Sequence, residues 1–207
     1  MKEKEKPKLK LVRDAPPGKL RVVVTYLELT GGTVGAQVAR RTPAEKIALL
    51  RAERPPLSYY RYLYAAVGEP WLWYERRRLS DPELAAVIHD PAVEIYVLYK
   101  SGVPAGFAEI DRRSGRTVEL QYLGLVPDFI GSGLGSRLLG WALDAAFAGG
   151  AQRITVNTCS FDHPKALATY QRAGFVPVGQ EVKIIDDPRK TGLLPPGAAP
   201  HVPIVEE

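Results

Sequence analysis

Apolar residues recur along this chain with two different periods, and each period predicts one kind of element. Apolar and polar positions alternate, with many β-branched residues, in the segments predicted as strands: Leu20–Leu29, Ala92–Tyr99, Val103–Asp111, Thr117–Val126, Arg153–Thr158 and Phe175–Ile185. Helical spacing and helix-boundary residues mark a second set: Pro43–Arg54 with Thr42 as its N-cap, Ser58–Val67, a helix from Ser80 to about His89, Gly133–Ala148 and Pro164–Ala173. The chain is therefore expected to fold as an α/β protein.

The order of these elements changes character in the middle of the chain. Ser101-Gly102 and Ser114-Gly115 provide tight turns between three successive strands, which is typical of an antiparallel meander. Strands and helices then alternate up to Ile185. The 207 residues are enough for one domain with a substantial core.

Charge is concentrated at the N-terminal end. The first ten residues hold five Lys and two Glu and supply +3 of the net charge of +5, so the remainder is nearly neutral. We expect a flexible basic tail over residues 1–18, a folded domain over 19–186 and a proline-rich arm over 187–207 that lies on the domain. Nucleic acid is not an expected partner, because a basic tail on a neutral body is not a basic binding face.

Composition excludes several classes of site. No apolar run approaches the roughly 20 residues that a membrane helix needs, and no apolar signal segment follows the charged start, so we expect a cytoplasmic protein. The single cysteine, Cys159, cannot form an intramolecular disulfide or a cysteine-based zinc site. The three histidines lie far apart, and no metal site is expected.

A glycine-rich segment between a strand and a helix is the first candidate for chemistry. It is Ile130-Gly131-Ser132-Gly133-Leu134-Gly135, directly before the helix over 133–148. Glycines let the backbone turn tightly, and a helix N-terminus offers peptide N–H groups to an anion, so the segment suits a pyrophosphate. A turn that merely connects two elements is the alternative. No Gly-Lys-Ser/Thr follows, which excludes a P-loop, and the preceding antiparallel strands fit a Rossmann site poorly.

A second motif lies downstream, and the two together carry a resemblance. Ala166, Tyr170, Gly174 and Phe175 match the pattern Ala-x-x-x-Tyr-x-x-x-Gly-Phe, and residues 130–135 match Gln/Arg-x-x-Gly-x-Gly/Ala except at the first position. With these motifs the chain resembles the GNAT superfamily of acyl-CoA N-acyltransferases over about residues 20–185. The resemblance implies a mixed, mostly antiparallel, twisted sheet of about six or seven strands with helices on both faces.

The resemblance also implies a site for acetyl-CoA, released as CoA. The strand before the glycine loop is expected to splay from its neighbour and to leave a gap for the pantetheine arm. Ile130 replaces the usual Gln or Arg, so one side-chain contact is expected to be lost while the backbone contacts remain. His163 replaces a common Asn, and its imidazole can still donate a hydrogen bond in an altered form of that contact. The implied cofactor-binding residues are Leu125, Val126, Ile130, Gly131, Ser132, Gly133, Leu134, Gly135, Ser136, His163 and Tyr170.

Direct attack of an amine on the thioester needs a proton acceptor for the amine and a proton donor for the leaving thiolate. Tyr170 is the candidate donor, with packing of its helix as the alternative. Glu119 is the candidate base, because the resemblance places it where some relatives carry a catalytic glutamate; Glu109, a relayed water or a plain surface role are the alternatives. Strand alternation predicts Glu119, Gln121 and Leu123 on one face. An acetyl-cysteine on Cys159 is conceivable, but a small core residue is favoured.

We therefore predict an N-acetyltransferase that moves an acetyl group from acetyl-CoA to a primary amine in a ternary complex. Seven aromatic residues over 59–74 fall where the family's substrate-facing helices lie; most are expected in the core and one or two at the pocket. An aromatic roof favours a small amine over a protein tail. A non-catalytic acyl-CoA sensor, or a lysine acetyltransferase associated with protein or nucleic acid, remains the alternative. A homodimer is compatible with the sequence.

Overall fold

One seven-stranded sheet organises the chain in the computed structural model, which describes residues 15–31 and 46–206. The strands are β1 (Lys19–Thr30), β2 (Ile47–Arg51), β3 (Val93–Lys100), β4 (Val103–Asp111), β5 (Thr117–Leu125), β6 (Arg153–Cys159) and β7 (Val176–Asp186). The helices are α1 (Leu57–Gly68), α2 (Asp81–Ile88), α3 (Leu134–Ala148) and α4 (Ala166–Arg172), with short 3₁₀ segments at Glu69–Trp71, Glu75–Arg78 and Pro127–Phe129.

The strands lie in the order β2-β3-β4-β5-β6-β1-β7. Strands β3, β4 and β5 form the predicted antiparallel meander, and β5 with β6 is the parallel pair. The α/β fold with a mixed, mostly antiparallel sheet is thus confirmed. The start of α2 is also confirmed, because the Ser80 backbone N–H and hydroxyl both donate to the Glu83 carboxylate in a capping box.

The helix predicted over Pro43–Arg54 is wrong where the structure describes it. Residues 47–51 form strand β2, an edge strand paired with β3. Ile47 is buried while Ala48 and Leu50 are exposed, so the segment has the period of a strand. Its Ala, Glu, Lys and Leu content favours a helix locally, but pairing with a neighbouring strand outweighs a propensity of a few tenths of a kcal/mol per residue. Residues 42–45 lie outside the described residues.

Each face of the sheet carries its own apolar cluster. Helices α3 and α4 cover one face, where Leu138 and Leu143 pack against Leu27 and Ile110. Helices α1 and α2 cover the other face, where Tyr60 packs with Phe107 and neighbouring side chains. The sheet therefore separates two different apolar clusters. A ligand that contacts both clusters has to pass through the sheet.

Residues 187–206 pack over the start of β1. Leu194, Ala199 and Val202 form a buried cluster with Leu20. A buried ion pair between Arg189 and Asp187 holds the segment, since the guanidinium also donates to the carbonyls of residues 198 and 202. The division into tail, domain and arm stays a prediction, and residues 1–14 lie outside the described residues.

Candidate active site

The parallel pair β5–β6 opens into a gap. Pairing is limited to residues 117–119 of β5 with 153–155 of β6, although both strands continue for several residues. Beyond this point the two strands diverge, as the gap predicted for a pantetheine arm requires. The sheet is open there, and its two faces communicate.

The glycine loop lies at one mouth of the gap. Gly131 and Gly133 have φ values of +85° and +78°, which L side chains rarely adopt. A Cβ built at either position would meet no atom within 4 Å, so the space in front of the loop is open. Helix α3 begins at Leu134, directly behind it. Free peptide N–H groups at the start of a 15-residue helix fit an anionic pyrophosphate.

The end of β5 faces both a strand and the gap. The Val126 N–H donates to the Ala105 carbonyl at 3.0 Å, so it is already used on the β4 side. Alternation along an antiparallel pair turns the peptide N–H and C=O of Leu125 the other way, toward the gap. Of Leu125 and Val126, only Leu125 thus directs its backbone N–H and C=O toward a ligand in the gap. The Val126 side chain packs on the face of the sheet that α1 and α2 cover.

A cleft of about 710 Å³ passes through the gap and joins the two faces. The predicted cofactor residues that line it are Leu125, Ile130, Gly131, Gly133, Gly135, Ser136, His163 and Tyr170. Val126, Ser132 and Leu134 do not line it; the Ser132 hydroxyl donates to the Phe129 carbonyl, and Leu134 is buried in the core. At its far end the cleft is walled by aromatic rings and carboxylates.

Tyr170, the proposed proton donor, lines the cleft. It is 7% exposed, and its ring packs edge-on against Phe175 at 5.7 Å. Burial raises the pKa of its phenol well above the ordinary value of 10, and the negative charge of Asp162 raises it further. Among the described residues, no side chain hydrogen-bonds to its hydroxyl, so the proton is available to a ligand in the cleft.

His163 follows β6 at the edge of the cleft. Its Nδ1 accepts from the Lys165 backbone N–H at 3.1 Å, and its ring lies edge-on to Trp71 at 5.4 Å. Partial burial lowers its pKa below 6.5, and the charge of Lys165 lowers it further. With Nδ1 used as an acceptor, the neutral ring carries its proton on Nε2, where it can donate.

Glu119 lies beside the main cleft. It lines a side pocket of about 250 Å³ that shares Tyr26, Val156 and Asn157 with the main cleft. Burial raises the pKa of its carboxyl, and Asp111 raises it further. A carboxylate with a raised pKa is a better proton acceptor, so this position suits a base that acts through the shared wall.

The predicted common face of Glu119, Gln121 and Leu123 is wrong. Glu109 pairs with Tyr122 and Ile110 pairs with Leu120, which leaves Gln121 as an extra residue in a β-bulge. The bulge reverses the alternation, and Leu123 packs into the same cluster as Leu120 rather than on the face of Glu119.

Glu109, the alternative base, is fully buried away from the cleft. Its carboxylate receives hydrogen bonds from the Arg76 guanidinium and the Tyr60 hydroxyl. The Arg76 group also lies over the Tyr122 ring at 5.2 Å. Both carboxylate oxygens are thus engaged in a structural network, and Glu109 does not face the place where an amine would bind.

The aromatic segment divides between core and cleft. Tyr60 and Tyr64 are buried against the sheet. Trp71, Trp73 and Tyr74 line the cleft instead, one more than the one or two pocket residues expected. A left-handed residue at Leu72, with φ of 59°, reverses the chain between the two tryptophans and lets both rings reach the cleft.

Two carboxylates of the cleft are absent from the sequence-based site. Asp162 accepts hydrogen bonds from the Thr158 hydroxyl and the Cys159 backbone N–H. Glu75 accepts from the Tyr64 hydroxyl and the Tyr74 backbone N–H. Asp162 lies in the loop after β6 and directly precedes His163, so its position beside the second motif was the available signal.

Cys159 does not have the character of a nucleophile. Burial raises the pKa of its thiol far above the ordinary range, and the charge of Asp162 raises it further. The thiolate is thus scarce at neutral pH, which argues against an acetyl-cysteine. Across residues 15–31 and 46–206, no group of three or more His, Cys, Asp or Glu residues could hold a metal ion. No helix in this part of the chain has the length and apolar character to cross a bilayer.

Comparison with known proteins gives the class. The family model for the acetyltransferase (GNAT) family matches residues 55–175, more than half of the chain. The chain therefore belongs to the GNAT family, whose members transfer acyl groups. The matched range contains the glycine loop, the strand gap and Tyr170.

Solved structures agree on the fold. A conserved protein of unknown function from Staphylococcus epidermidis aligns with a TM-score of 0.61 at 16% identity, over 82% of this chain and 63% of its own. A GCN5-related N-acetyltransferase from Kribbella flavida aligns at 0.54 and 18% identity, over 83% and 60%. An aminoglycoside N-acetyltransferase in complex with CoA aligns at 0.50 and 18%, over 67% and 94%.

The chain spans 63% and 60% of the length of the first two of these structures. No curated protein gives a significant match. Identities this low show the fold alone, so the donor, the acceptor and the catalytic residues of this chain have to be argued from its own cleft.

Proposed function

We propose that this protein is an acetyl-CoA-dependent N-acetyltransferase that acts on a small primary amine. The observation that carries the proposal is the continuous cleft through the β5–β6 gap. One mouth is a glycine loop at a helix N-terminus, and the other is lined by Trp71, Trp73 and Asp162. An anionic, extended donor fits the first half, and a cationic, partly apolar acceptor fits the second.

The donor half supports acetyl-CoA through its backbone. Peptide N–H groups at residues 131–136 would hold the pyrophosphate, and Leu125 would pair with the pantetheine arm. His163 would add a side-chain hydrogen bond. Acetyl-CoA supplies an activated acyl carbon; transfer of that acyl group to the amine forms a C–N bond and releases the CoA thiol.

The proposed acid is Tyr170. Tyr170 lines the cleft, and the raised pKa of its phenol keeps it protonated throughout the neutral range. A protonated phenol can donate to the sulfur as the C–S bond breaks. Deep burial between Phe175 and the sheet holds the ring in one orientation.

Glu119 is the proposed base, and it acts from the side pocket. The side pocket that Glu119 lines shares Tyr26 and Asn157 with the main cleft, which supports a role for Glu119 toward an acceptor bound there. Its carboxylate would take the amine proton directly or through water. The engagement of Glu109 with Arg76 and Tyr60 supports Glu119 over that rival.

A small acceptor is supported by the size of the cleft and by its mostly apolar lining. Side chains from the 69–75 segment, from β1, from β7 and from the loop after β6 line its acceptor half, with Tyr74, Phe161 and Ile185 among them. Concave, mostly apolar sites of several hundred cubic ångströms are typical for small ligands. The rival, a protein-lysine acetyltransferase, would use a more open surface.

The test is release of CoA from acetyl-CoA with a panel of small amines, run beside histone-like and ribosomal peptides. Turnover of small amines is the expected result, with acetyl-CoA also raising the melting temperature. Activity on peptides alone would overturn the choice of a small acceptor. Stabilisation by acetyl-CoA without turnover of any acceptor would favour a non-catalytic sensor.

We further propose a homodimer formed through the exposed edge strand β7. Val176, Val178, Val182 and Ile184 are between 49% and 63% exposed, and they lie symmetrically about Gln180 in the sequence. Antiparallel pairing of two β7 strands about Gln180 would bring these side chains together in pairs. Sedimentation velocity should show a dimer that Val182→Lys dissociates; a monomeric wild type would contradict the proposal.

A further inference from the structure

Asp162 lines the cleft from the loop after β6, where two hydrogen bonds hold its carboxylate. Its Oδ2 accepts from the Thr158 hydroxyl at 2.8 Å and from the Cys159 backbone N–H at 2.7 Å. Thr158 is itself buried, so both donors are fixed by the fold. The carboxylate is thus presented in one orientation, with Oδ1 directed away from β6.

The second oxygen of this carboxylate has acceptor capacity left. Its one hydrogen bond comes from the Trp73 indole N–H at 3.5 Å, the outer limit for such a bond. Within the described parts of the chain, no Lys, Arg or His nitrogen lies within 4 Å of the carboxylate. A half-buried carboxylate is costly without a cationic partner, so a ligand that supplies the cation is stabilised there.

The position of the Asp162 carboxylate relative to Tyr170 decides whether a bound cation would lie near the reacting groups. Asp162 and Tyr170 line the same cleft, and the charge of Asp162 adds to the effect of burial in raising the pKa of the Tyr170 phenol. A cation bound at Oδ1 would therefore lie in the acceptor half and next to the reacting groups.

The surroundings of Oδ1 are aromatic. Trp73 packs against Tyr122 with ring centroids 5.0 Å apart, which fixes the indole beside Asp162. Trp71 lies further along, edge-on to the rings of His163 and His201 at 5.4 Å each. A ligand that pairs with the carboxylate thus has rigid apolar surfaces on which the rest of its body can lie.

We propose, building on the proposed acetyl transfer, that Asp162 anchors the acceptor by pairing its open Oδ1 with the primary ammonium group, while Trp71 and Trp73 pack on an apolar body. The preferred acceptors are primary alkylammonium compounds with an aromatic or branched hydrocarbon portion. Asp162 and Glu119 then have separate tasks: the first binds the cationic amine, and the second takes its proton before attack.

The experiment uses the full chain, with 2-phenylethylamine as the probe and 2-phenylethanol as its neutral analogue. Asp162→Asn keeps the size of the side chain and one oxygen that can accept from both Thr158 and Cys159, as Oδ2 does, while removing the charge. The variant should raise KM for the amine at least tenfold with a smaller change in kcat, and acetyl-CoA should stabilise it as it does the wild type. Asp144→Asn, on the exposed side of α3 and outside the cleft, is the matched control.

A binding measurement separates this proposal from the proposed function. The amine should raise the melting temperature of the CoA-bound wild type, 2-phenylethanol should raise it less, and Asp162→Asn should lose the difference. A wild type that binds the amine but releases no CoA would count against the transfer reaction alone. If Asp162→Asn did not fold, Thr158→Val, which removes one donor to Oδ2, should still raise KM severalfold.

Any of three results would overturn the proposal that Asp162 binds the ammonium group of the acceptor. These are an unchanged KM in Asp162→Asn, equal stabilisation of the wild type by the amine and the alcohol, and loss of the acetyl-CoA shift in Asp162→Asn. The last result would show that the carboxylate holds the end of β6 in place for the donor and has no particular role toward the amine.

Discussion

The two halves of the cleft are built from different parts of the polypeptide. The donor half is made of backbone: positive-φ glycines, a helix N-terminus and the free edge of β5. The acceptor half is made of side chains that arrive from the 69–75 segment, from β1 and from the loop after β6. A site made of backbone tolerates a substitution such as Ile130, whereas a site made of side chains changes its ligand with each residue.

Because the donor half is made of backbone, we expect it to lose acetyl-CoA binding only when its backbone conformation or its charge is changed. A substitution of Gly133 should have the largest effect. Gly133→Asp should abolish the stabilisation by acetyl-CoA, about 2.7 kcal/mol at a hundredfold excess over Kd, because a carboxylate would meet the pyrophosphate at the start of α3. Thermal shift with acetyl-CoA measures the loss.

Gly133→Asn is the matched control, since Asn and Asp have the same shape and both tolerate a positive φ better than other side chains. The Asn variant should keep most of the acetyl-CoA shift. Equal shifts in a folded Asp variant and the wild type would place the pyrophosphate elsewhere.

This contrast also explains how much the sequence could predict. The glycine loop and the Ala166-to-Phe175 motif are local patterns, so the donor half and the α/β fold follow from short stretches of sequence. The role of residues 47–51 does not, because only pairing with β3 makes them a strand. The bulge at Gln121 is equally invisible, since an extra residue in one strand is defined by its partner. Asp162 meets Trp73 only in the fold, across 89 positions of sequence.

Tyr170 lines the cleft as the proposed proton donor, and removal of its hydroxyl should have the next largest effect. Tyr170→Phe keeps the ring packed on Phe175 and removes the proton, so kcat should fall roughly 10- to 1000-fold with little change in acetyl-CoA affinity. Because burial raises the pKa of the phenol above 10, the hydroxyl stays protonated between pH 6 and 9. The wild-type rate should therefore not fall with rising pH in this range through ionisation of Tyr170. Steady-state kinetics with an unchanged kcat would reduce Tyr170 to a packing residue.

The acceptor half can be separated from the core with two aromatic substitutions. Tyr60 is fully buried and bonds to Glu109, so Tyr60→Leu should cost about 3 kcal/mol of unfolding free energy. Trp71 lines the cleft and is partly exposed, so Trp71→Leu should raise KM for the amine severalfold at little cost in stability. Urea denaturation and kinetics on both variants test the division. A reversed pattern, with Trp71 governing stability, would show that the aromatic wall is structural.

The smallest expected effect concerns Glu119, because water can also relay the amine proton. Burial raises the pKa of this carboxyl, with Asp111 adding to the shift and Arg76 opposing it. The proton-accepting form is the carboxylate, so its contribution is present above the raised pKa and is lost as pH falls through it. Near neutral pH, where amines with pKa values of about 10 are almost fully protonated, Glu119→Gln should lower kcat/KM roughly tenfold. Toward pH 10 the free amine becomes abundant, and the ratio of kcat/KM between the wild type and Glu119→Gln should become smaller. The measurement is kcat/KM against pH for both proteins. Parallel profiles would assign proton removal to water and leave Glu119 a role in binding, in which case Asp162 and Glu119 would form one acidic acceptor site rather than two groups with separate tasks.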